Sequence, residues 1–238
     1  MCTVTYVPLK DGFLLCSNRD ERMSRSRTLP PAVYQHHEKL FYYPRDEESS
    51  GTWIAVSDEK ATLCLLNGAF EKHIPHPPYR KSRGLVLLDI LAAEQPDKFI
   101  RKENFSGIEP FTLVMVLENQ GFRQLWELRW DGLNSHILNP DGNTSHIWSS
   151  STLYPPEVRK QRELWFEEWL RKNPLPSQEA LLAFHRFGGE GNRENDLVMS
   201  RSDDRQTISI TSVYSGEEGM NMLYRDLIKN TGHHLEIQ

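Results

Sequence analysis

Alternating apolar and polar positions dominate the chain and predict a protein built mainly of antiparallel strands. Residues 3–9 and 13–18 form the first predicted pair, and residues 52–56 and 61–68 form the second. The alternation returns later in short segments joined by turn-forming Asn, Asp, Gly and Pro residues. These further predicted strands are 111–118, 122–130, 133–138, 145–150, 195–201, 206–214 and 219–227.

Helical periodicity is confined to three segments. Residues 83–93 carry apolar side chains at helical spacing, and Pro96 is expected to end or interrupt that helix. Residues 155–173 begin with two prolines, which suit a first helical turn, and residues 177–187 begin with Ser177 as a candidate N-cap. The expected apolar stripe of the long helix consists of Val158, Leu164, Trp165, Trp169 and Leu170.

The order of these elements predicts the fold class. Strands follow one another in hairpins, and helices are inserted singly or in pairs, which is typical of an α+β protein with antiparallel sheets. Residues 24–50 are polar, contain prolines and show little periodicity, so they are expected to form mainly a long surface loop with short extended pieces. Because no repeat, low-complexity tract or linker is evident, a single domain over residues 1–238 is predicted.

Composition agrees with a folded protein and excludes several functional classes. Of 238 residues, 38% are hydrophobic, and the net charge of −5 comes without a basic stripe, which argues against a nucleic-acid partner. No apolar run is long enough for a membrane helix and the start lacks a signal-peptide pattern, so no membrane partner and a cytoplasmic location are expected. The cysteines and histidines lack metal-ligand spacing, and no metal or cofactor is expected.

The first hairpin brings a charged cluster close to the start of the chain. A three-residue loop ending at Gly12 would place Cys2 opposite Asp20 and Val4 opposite Asn18. A two-residue loop ending at Gly12 would move both partners one residue further along the second strand. In either register the charged cluster that follows the second strand reaches the first residues of the chain.

Cys2 gains unusual chemistry if Met1 is removed, which is common when the second residue is small. The thiol and a free α-amine then share one carbon, and both titrate close enough to neutral pH for the amine to accept the thiol proton. A nucleophile of this kind carries its own base. It still requires a carboxylate such as Asp20 to hold the amine, and donors for the tetrahedral oxyanion.

Six segments, taken in order, resemble the NRDE family, the group that includes the transport and Golgi organisation protein numbered two. They are MCT at 1–3, SNRDE at 17–21, GTWIAV at 51–56, LLNG at 65–68, SRG at 82–84 and TISITSV at 207–213. The resemblance implies an N-terminal nucleophile hydrolase-like fold, which is a four-layer αββα sandwich with antiparallel sheets. The predicted hairpins and few helices are compatible with that architecture.

The resemblance also implies roles for individual residues. Cys2 corresponds to the catalytic nucleophile, Asp20 to the carboxylate that holds the N-terminus, and Asn67 to the asparagine that stabilises the oxyanion. Ser150 lies near the position at which the hydrolases carry a second asparagine. The residues expected to bind substrate are Asn18, Arg19, Glu21, Gly68, Ser150 and Arg201.

Two functions are therefore predicted. The first is an N-terminal-cysteine amidohydrolase that cleaves a non-peptide C–N amide bond in a small acylated molecule. The alternative is a non-catalytic carrier or chaperone on the same fold, with haem or another small molecule as its cargo. The partner is a small-molecule substrate in the first function and haem or a similar molecule in the second.

Overall fold

The structure is a computed structural model that describes residues 3–25, 28–36, 38–59, 61–119 and 122–238. The strands of these residues are β1 (Thr3–Leu9), β2 (Gly12–Arg22), β3 (Thr28–His36), β4 (Lys39–Asp46), β5 (Ile54–Ser57), β6 (Ala61–Asn67), β7 (Phe111–Asn119), β8 (Phe122–Trp130), β9 (Ser135–Leu138), β10 (His146–Ser149), β11 (Arg205–Gly216), β12 (Gly219–Asp226) and β13 (Thr231–Ile237). The helices are α1 (Arg83–Ala92), α2 (Pro96–Lys102), α3 (Pro156–Lys172) and α4 (Gln178–Phe187), with a 3-10 turn at Met23–Arg25.

The chain divides into two compact units. The first unit comprises 1–26, 143–149 and 153–238, and the second comprises 27–142 and 150–152. Each unit contains one antiparallel sheet together with two of the helices. The prediction of a single domain over the whole chain stays a prediction.

The first unit is a six-stranded sheet in the order β10-β1-β2-β11-β12-β13. The helices α3 and α4 pack against one face of it through a cluster of buried apolar side chains. That cluster consists of Val7, Leu14, Cys16, Phe166, Leu181, Leu182, Phe184, Leu197 and Ile210. Burial of each large apolar side chain stabilises the fold by about 1.5–3 kcal/mol. The alternation of β2 therefore directs its even-numbered side chains toward the helices.

The second unit is a seven-stranded meander in which each strand pairs with the next along the chain, from β3 to β9. Its helices α1 and α2 contribute to one apolar cluster with the sheet. Ser82 caps α1 by accepting a hydrogen bond from the backbone N–H of Leu85. Among the described residues, no helix is both long enough and apolar enough to cross a membrane.

Most predicted elements are confirmed, and four are corrected. The expected loop at 24–50 contains β3 and β4, which pair with each other along most of their length. The helix α1 ends before Pro96, as expected, but Pro96 also begins a second helix, α2, which was not predicted. Residues 195–201 form no strand beyond one isolated bridge at Ser200, and the C-terminal strand β13 was not predicted.

The buried face of α3 also differs from the predicted stripe. Arg162 and Phe166 are the buried residues of this helix, whereas Leu164 is 45% exposed. The helix therefore turns a guanidinium group into the first unit. Hydrophobic periodicity could not predict this, because it assigns arginine to the solvent side.

The pairing of β1 with β2 corrects both predicted registers. Leu9 pairs with Gly12 across a two-residue turn, and Val4 pairs with Ser17. Each partner is therefore one residue earlier than the three-residue loop required and two residues earlier than the two-residue loop required. Gly12 is required for a different reason than the turn. A Cβ at that position would overlap the carbonyl oxygen of Ser215 on β11, so the glycine permits close approach of two strands.

Candidate active site

The predicted nucleophile Cys2 lies outside the described residues. The description of the chain begins at Thr3, which pairs with Asn18 on β2. Asp20 follows two residues later on that strand. The strand that continues directly from Cys2 therefore runs beside the segment that carries the predicted carboxylate.

Asp20 is a buried carboxylate held by two hydroxyl groups. The residue is only 3% exposed to solvent. The Tyr154 hydroxyl donates to Oδ2 at 2.7 Å, and the Thr207 hydroxyl donates to Oδ1 at 2.5 Å. Since each carboxylate oxygen accepts a separate hydrogen bond, the orientation of the carboxylate plane is defined.

A β-bulge brings Thr207 to this position. Arg19 pairs with Ser209, and continuing that register would place Ile208 opposite Asp20. The register shifts between Thr207 and Ser209, so that Thr207 becomes the partner of Asp20 instead. Its hydroxyl also accepts from the backbone N–H of Met199 at 2.9 Å, which leaves its own proton for Asp20.

Two guanidinium groups lie close to the ring of Tyr154. Arg162 Cζ is 3.6 Å from the ring centroid and Arg201 Cζ is 5.1 Å from it. Arg162 is fully buried and donates to the carbonyl oxygens of Asn195 and Asp196. These contacts hold two cations against the aromatic residue that binds Asp20.

Arg201 was predicted to bind substrate from a strand, and the structure places it in an irregular segment instead. Its guanidinium donates to the carbonyl oxygens of Leu153, at 3.0 Å, and Glu194, at 3.2 Å. The guanidinium also contacts the ring of Tyr154, whose hydroxyl donates to Asp20, and these residues all lie in the first unit. Its predicted contact with substrate stays a prediction.

Asn18 is fully buried and its side chain is used by the protein itself. Its amide nitrogen donates to the carbonyl oxygens of His185, at 3.1 Å, and Leu197, at 2.6 Å. Its Oδ1 accepts a short hydrogen bond from Nδ1 of His185. Since both amide protons are engaged, these contacts support a role in joining β2 to α4 and give no support to the predicted substrate contact.

His185 completes this buried polar cluster. With Nδ1 donating to Asn18, its Nε2 accepts from the Thr5 hydroxyl at 2.7 Å, so the ring is a neutral imidazole. Burial, and to a smaller extent the charge of Arg162, lower the pKa of His185 from 6.5 to about 3. The imidazole therefore stays neutral at physiological pH.

Arg19 and Glu21 differ in their surroundings. Strand alternation directs Arg19 to the sheet face opposite Asn18 and Asp20, and the residue is only 3% exposed. Glu21 is partly exposed, and its carboxylate lies 3.9 Å from Arg25 in the following 3-10 turn. The predicted substrate contacts of both residues stay predictions.

Three further predicted residues, Asn67, Gly68 and Ser150, lie together in the second unit. The Ser150 hydroxyl donates to the carbonyl oxygen of Asn67 at 2.8 Å. Gly68 has a φ of +81°, and a Cβ there would overlap the Ser151 hydroxyl. Its backbone N–H donates to the carbonyl oxygen of Pro110, so it is already engaged. The segment containing Ser150 therefore packs directly on the end of β6.

The structure thus assembles the predicted residues in two groups and adds others that sequence reasoning missed. Asp20 lies in the first unit, and Asn67 lies in the second. The additional residues around Asp20 and Asn18 are Thr5, Tyr154, Arg162, His185 and Thr207. The sequence carried no usable signal for Arg162, because hydrophobic periodicity assigns an arginine to the solvent side of a helix. Among the described residues, no three or more His, Cys, Asp or Glu side chains are grouped to hold a metal.

Solved structures with a similar fold cover most or all of the chain. An N-acylethanolamine-hydrolyzing acid amidase ortholog from Caenorhabditis elegans matches with a TM-score of 0.60 and 8% identity, over 89% of this chain and 92% of its own. Penicillin V acylase from Agrobacterium tumefaciens matches with a TM-score of 0.57 and 8% identity, over 100% of this chain and 86% of its own. A variant of the conjugated bile acid hydrolase from Clostridium perfringens matches with a TM-score of 0.55 and 11% identity, over 99% of this chain and 92% of its own.

These similarities, together with the two antiparallel sheets and their helices, confirm the predicted α+β class and the N-terminal nucleophile hydrolase-like fold. Because the identities are at most 11% for these proteins, the likeness concerns the fold. No curated protein matches the sequence. A family model does match, over residues 1–202, and it confirms the resemblance seen in the sequence. The chain therefore belongs to the Transport and Golgi organisation 2 family.

Proposed function

We propose that this protein is an N-terminal-cysteine hydrolase that cleaves a non-peptide C–N amide bond in a small acylated molecule. The observation that carries the proposal is the buried carboxylate of Asp20. Asp20 lies on β2, the strand that pairs with β1, and its carboxylate is oriented by the hydroxyl groups of Tyr154 and Thr207. Cys2 directly precedes Thr3, the first described residue of β1. Asp20 lies two residues beyond Asn18, the partner of Thr3, and a fixed carboxylate is the group that an N-terminal nucleophile requires to hold its α-amine.

The reaction proceeds in two halves. After removal of Met1, the α-amine of Cys2 takes the thiol proton, and the thiolate attacks the amide carbonyl to form an S–C bond. The C–N bond then breaks, and the α-ammonium group returns its proton to the departing amine. Water attacks the resulting thioester, which releases a carboxylic acid and restores the thiol. The net change is hydrolysis of one amide to an acid and an amine.

Asp20 and Asn67 have different roles in this scheme. Asp20 holds the α-amine through its charge, and the hydroxyls of Tyr154 and Thr207 limit its rotation. Asn67 supplies its side-chain amide to the tetrahedral oxyanion. The backbone N–H of Gly68 does not share that role, because it donates to Pro110 at 3.0 Å.

The test combines mass spectrometry with hydrolysis assays. Intact mass first establishes whether Met1 has been removed from the purified protein. The substrates assayed are a conjugated bile acid, penicillin V and an N-acylethanolamine, which correspond to the proteins of similar fold. Cys2→Ala should abolish turnover, and Asn67→Ala should lower kcat about a hundredfold or more. Cys64→Ala removes a buried thiol of the second unit and serves as the matched control.

A trapped acyl adduct on the N-terminal peptide, absent in Cys2→Ala, would establish the covalent step. Turnover by a chain that retains Met1, or turnover unaffected by Cys2→Ala, would refute the mechanism. Titration with haem provides the comparison with carriage. Tight haem binding that survives Cys2→Ala, with no turnover by the wild-type protein, would favour the carrier function.

A further inference from the structure

The surroundings of Tyr154 are unusual for a buried tyrosine that merely fills a core. The residue is only 1% exposed, and its hydroxyl donates to Asp20 at 2.7 Å. Its ring makes cation–π contacts with Arg162 and Arg201, whose Cζ atoms lie 3.6 Å and 5.1 Å from the ring centroid. Within the first unit, two cations, one aromatic ring and one carboxylate are therefore linked through a single side chain.

Neither guanidinium group is neutralised by a carboxylate among the described residues. Arg162 donates to the carbonyl oxygens of Asn195 and Asp196 and to the hydroxyl of Thr3. Arg201 likewise donates to backbone carbonyl oxygens. Carbonyl acceptors fix the position of a guanidinium group but leave its full charge. The charge of each arginine is thus available to act on the aromatic ring beside it.

Two cations beside the ring have two physical consequences. They attract its π electrons, which holds the ring in one orientation and withdraws electron density from the phenol oxygen. A more polarised O–H group is a stronger donor to a carboxylate, especially where water is excluded. Both effects tighten the hydrogen bond from Tyr154 to Asp20.

We propose that Tyr154 is a positioning residue that fixes the Asp20 carboxylate for the N-terminal cysteine, and that Arg162 and Arg201 act through its ring. This inference rests on the proposed function. Thr207 provides the second point of attachment, since it donates to the other carboxylate oxygen at 2.5 Å. The bulge in β11 is part of the same arrangement, because without it Ile208 would lie opposite Asp20.

The contacts of Arg162 extend this arrangement to the first strand. The same guanidinium that lies on Tyr154 donates to the Thr3 hydroxyl, and Thr3 is bonded directly to Cys2. One buried side chain of α3 therefore contacts both the residue after the nucleophile and the tyrosine that orients the carboxylate. This geometry couples the start of β1 to Asp20 without a direct ion pair between Arg162 and Asp20.

The experiment removes single hydroxyl groups and keeps the packing. Tyr154→Phe keeps the ring beside the two arginines, and Thr207→Val keeps the volume of the side chain. Each variant should lower kcat about tenfold to a hundredfold, the effect of losing a hydrogen bond to a charged group, while KM changes less than about threefold. Thr207→Ser restores the hydroxyl and should recover most of the loss. Tyr42→Phe, in the second unit, and Thr211→Val, on β11, are the controls.

A second measurement requires no substrate. Iodoacetamide is applied to the folded protein, and mass spectrometry of the N-terminal peptide follows alkylation of Cys2. Tyr154→Phe should slow alkylation about fivefold or more, because a mobile Asp20 holds the α-amine less well as the base for the thiol. Failure of the hydrolysis proposal would leave this result intact, so the two failures are distinguishable.

A double-mutant cycle with Asp20→Asn decides whether Tyr154 acts through the carboxylate. With this mechanism, Tyr154→Phe has no further effect on kcat or alkylation once Asp20 is replaced. Additive losses, equal losses in the two control variants, or an unchanged alkylation rate in Tyr154→Phe would overturn the assignment. Thermal unfolding of every variant identifies any that fail to fold, and Thr207→Ser against Thr207→Val then provides the same test.

Discussion

Acidification should weaken the attachment of β2 to α4, because His185 is buried between them as a neutral imidazole. The ring donates to Asn18 and accepts from Thr5, and the positive charge of Arg162 also disfavours its protonation. A protonated ring would be a second buried cation beside the first. The folded protein therefore resists protonation at this position, whereas the unfolded chain does not.

The sign and size of the effect follow from the two pKa values of His185, 6.5 without the fold and about 3 within it. Above pH 6.5 the imidazole is neutral in both states, so no stability is lost. Below that pH only the unfolded chain binds the proton, and the free energy of unfolding falls by about 1.4 kcal/mol per pH unit. The loss of unfolding free energy reaches about 3 kcal/mol near pH 4.5, and it stops increasing below about pH 3.

Urea denaturation at about pH 7.5 and about pH 4.5 measures this loss, with His185→Gln as the test variant. The variant should be less stable at pH 7.5 by about 1–3 kcal/mol, because the hydrogen bonds of the imidazole are lost. Its further loss on acidification should be about 3 kcal/mol smaller than that of the wild-type protein. His76→Gln removes an exposed imidazole and controls for the change in composition.

The comparison between variants separates His185 from the carboxylates, which titrate in all three proteins. If the wild-type protein and His185→Gln lose the same free energy between the two pH values, the imidazole is not buried in its neutral form. His76→Gln should lose as much unfolding free energy on acidification as the wild-type protein. A loss as small as that of His185→Gln would also contradict the reasoning, since the His76 side chain lies outside the buried cluster.

Three other predictions concern a close-packed glycine, a helix N-cap and two buried thiols. Gly68→Ala should lower the free energy of unfolding by more than Gly219→Ala, by about 1–3 kcal/mol, because both glycines have positive φ but only Gly68 has neighbours that a Cβ would meet; equal losses would show that strain alone matters. Ser177→Ala should cost about 1 kcal/mol in urea denaturation, since the Ser177 hydroxyl accepts from Ala180 at the start of α4. Native titration with a thiol reagent should leave Cys16 and Cys64 unmodified until urea is added, because both are fully buried; rapid modification of either would contradict this burial.

Several features of this protein follow from the sequence alone. Alternation between turn residues predicted the first hairpin and most later strands, because a half-buried strand leaves a period of two in its side chains. Proline and serine at the helix starts predicted α3 and α4 for an equally local reason. The ordered family segments indicated the fold, and the structural similarities confirm it.

Only the tertiary structure decided which residues surround Asp20. The register of β1 on β2 differs from both predicted registers, Gly12 lies against a third strand, and the position of Thr207 depends on a bulge in β11. Tyr154 reaches Asp20 from 134 residues away along the chain. Contacts of this kind are absent from local periodicity, because hydrogen bonds between distant segments form only when the strands and helices have packed. Sequence determined the elements, and packing determined the donors that orient the carboxylate.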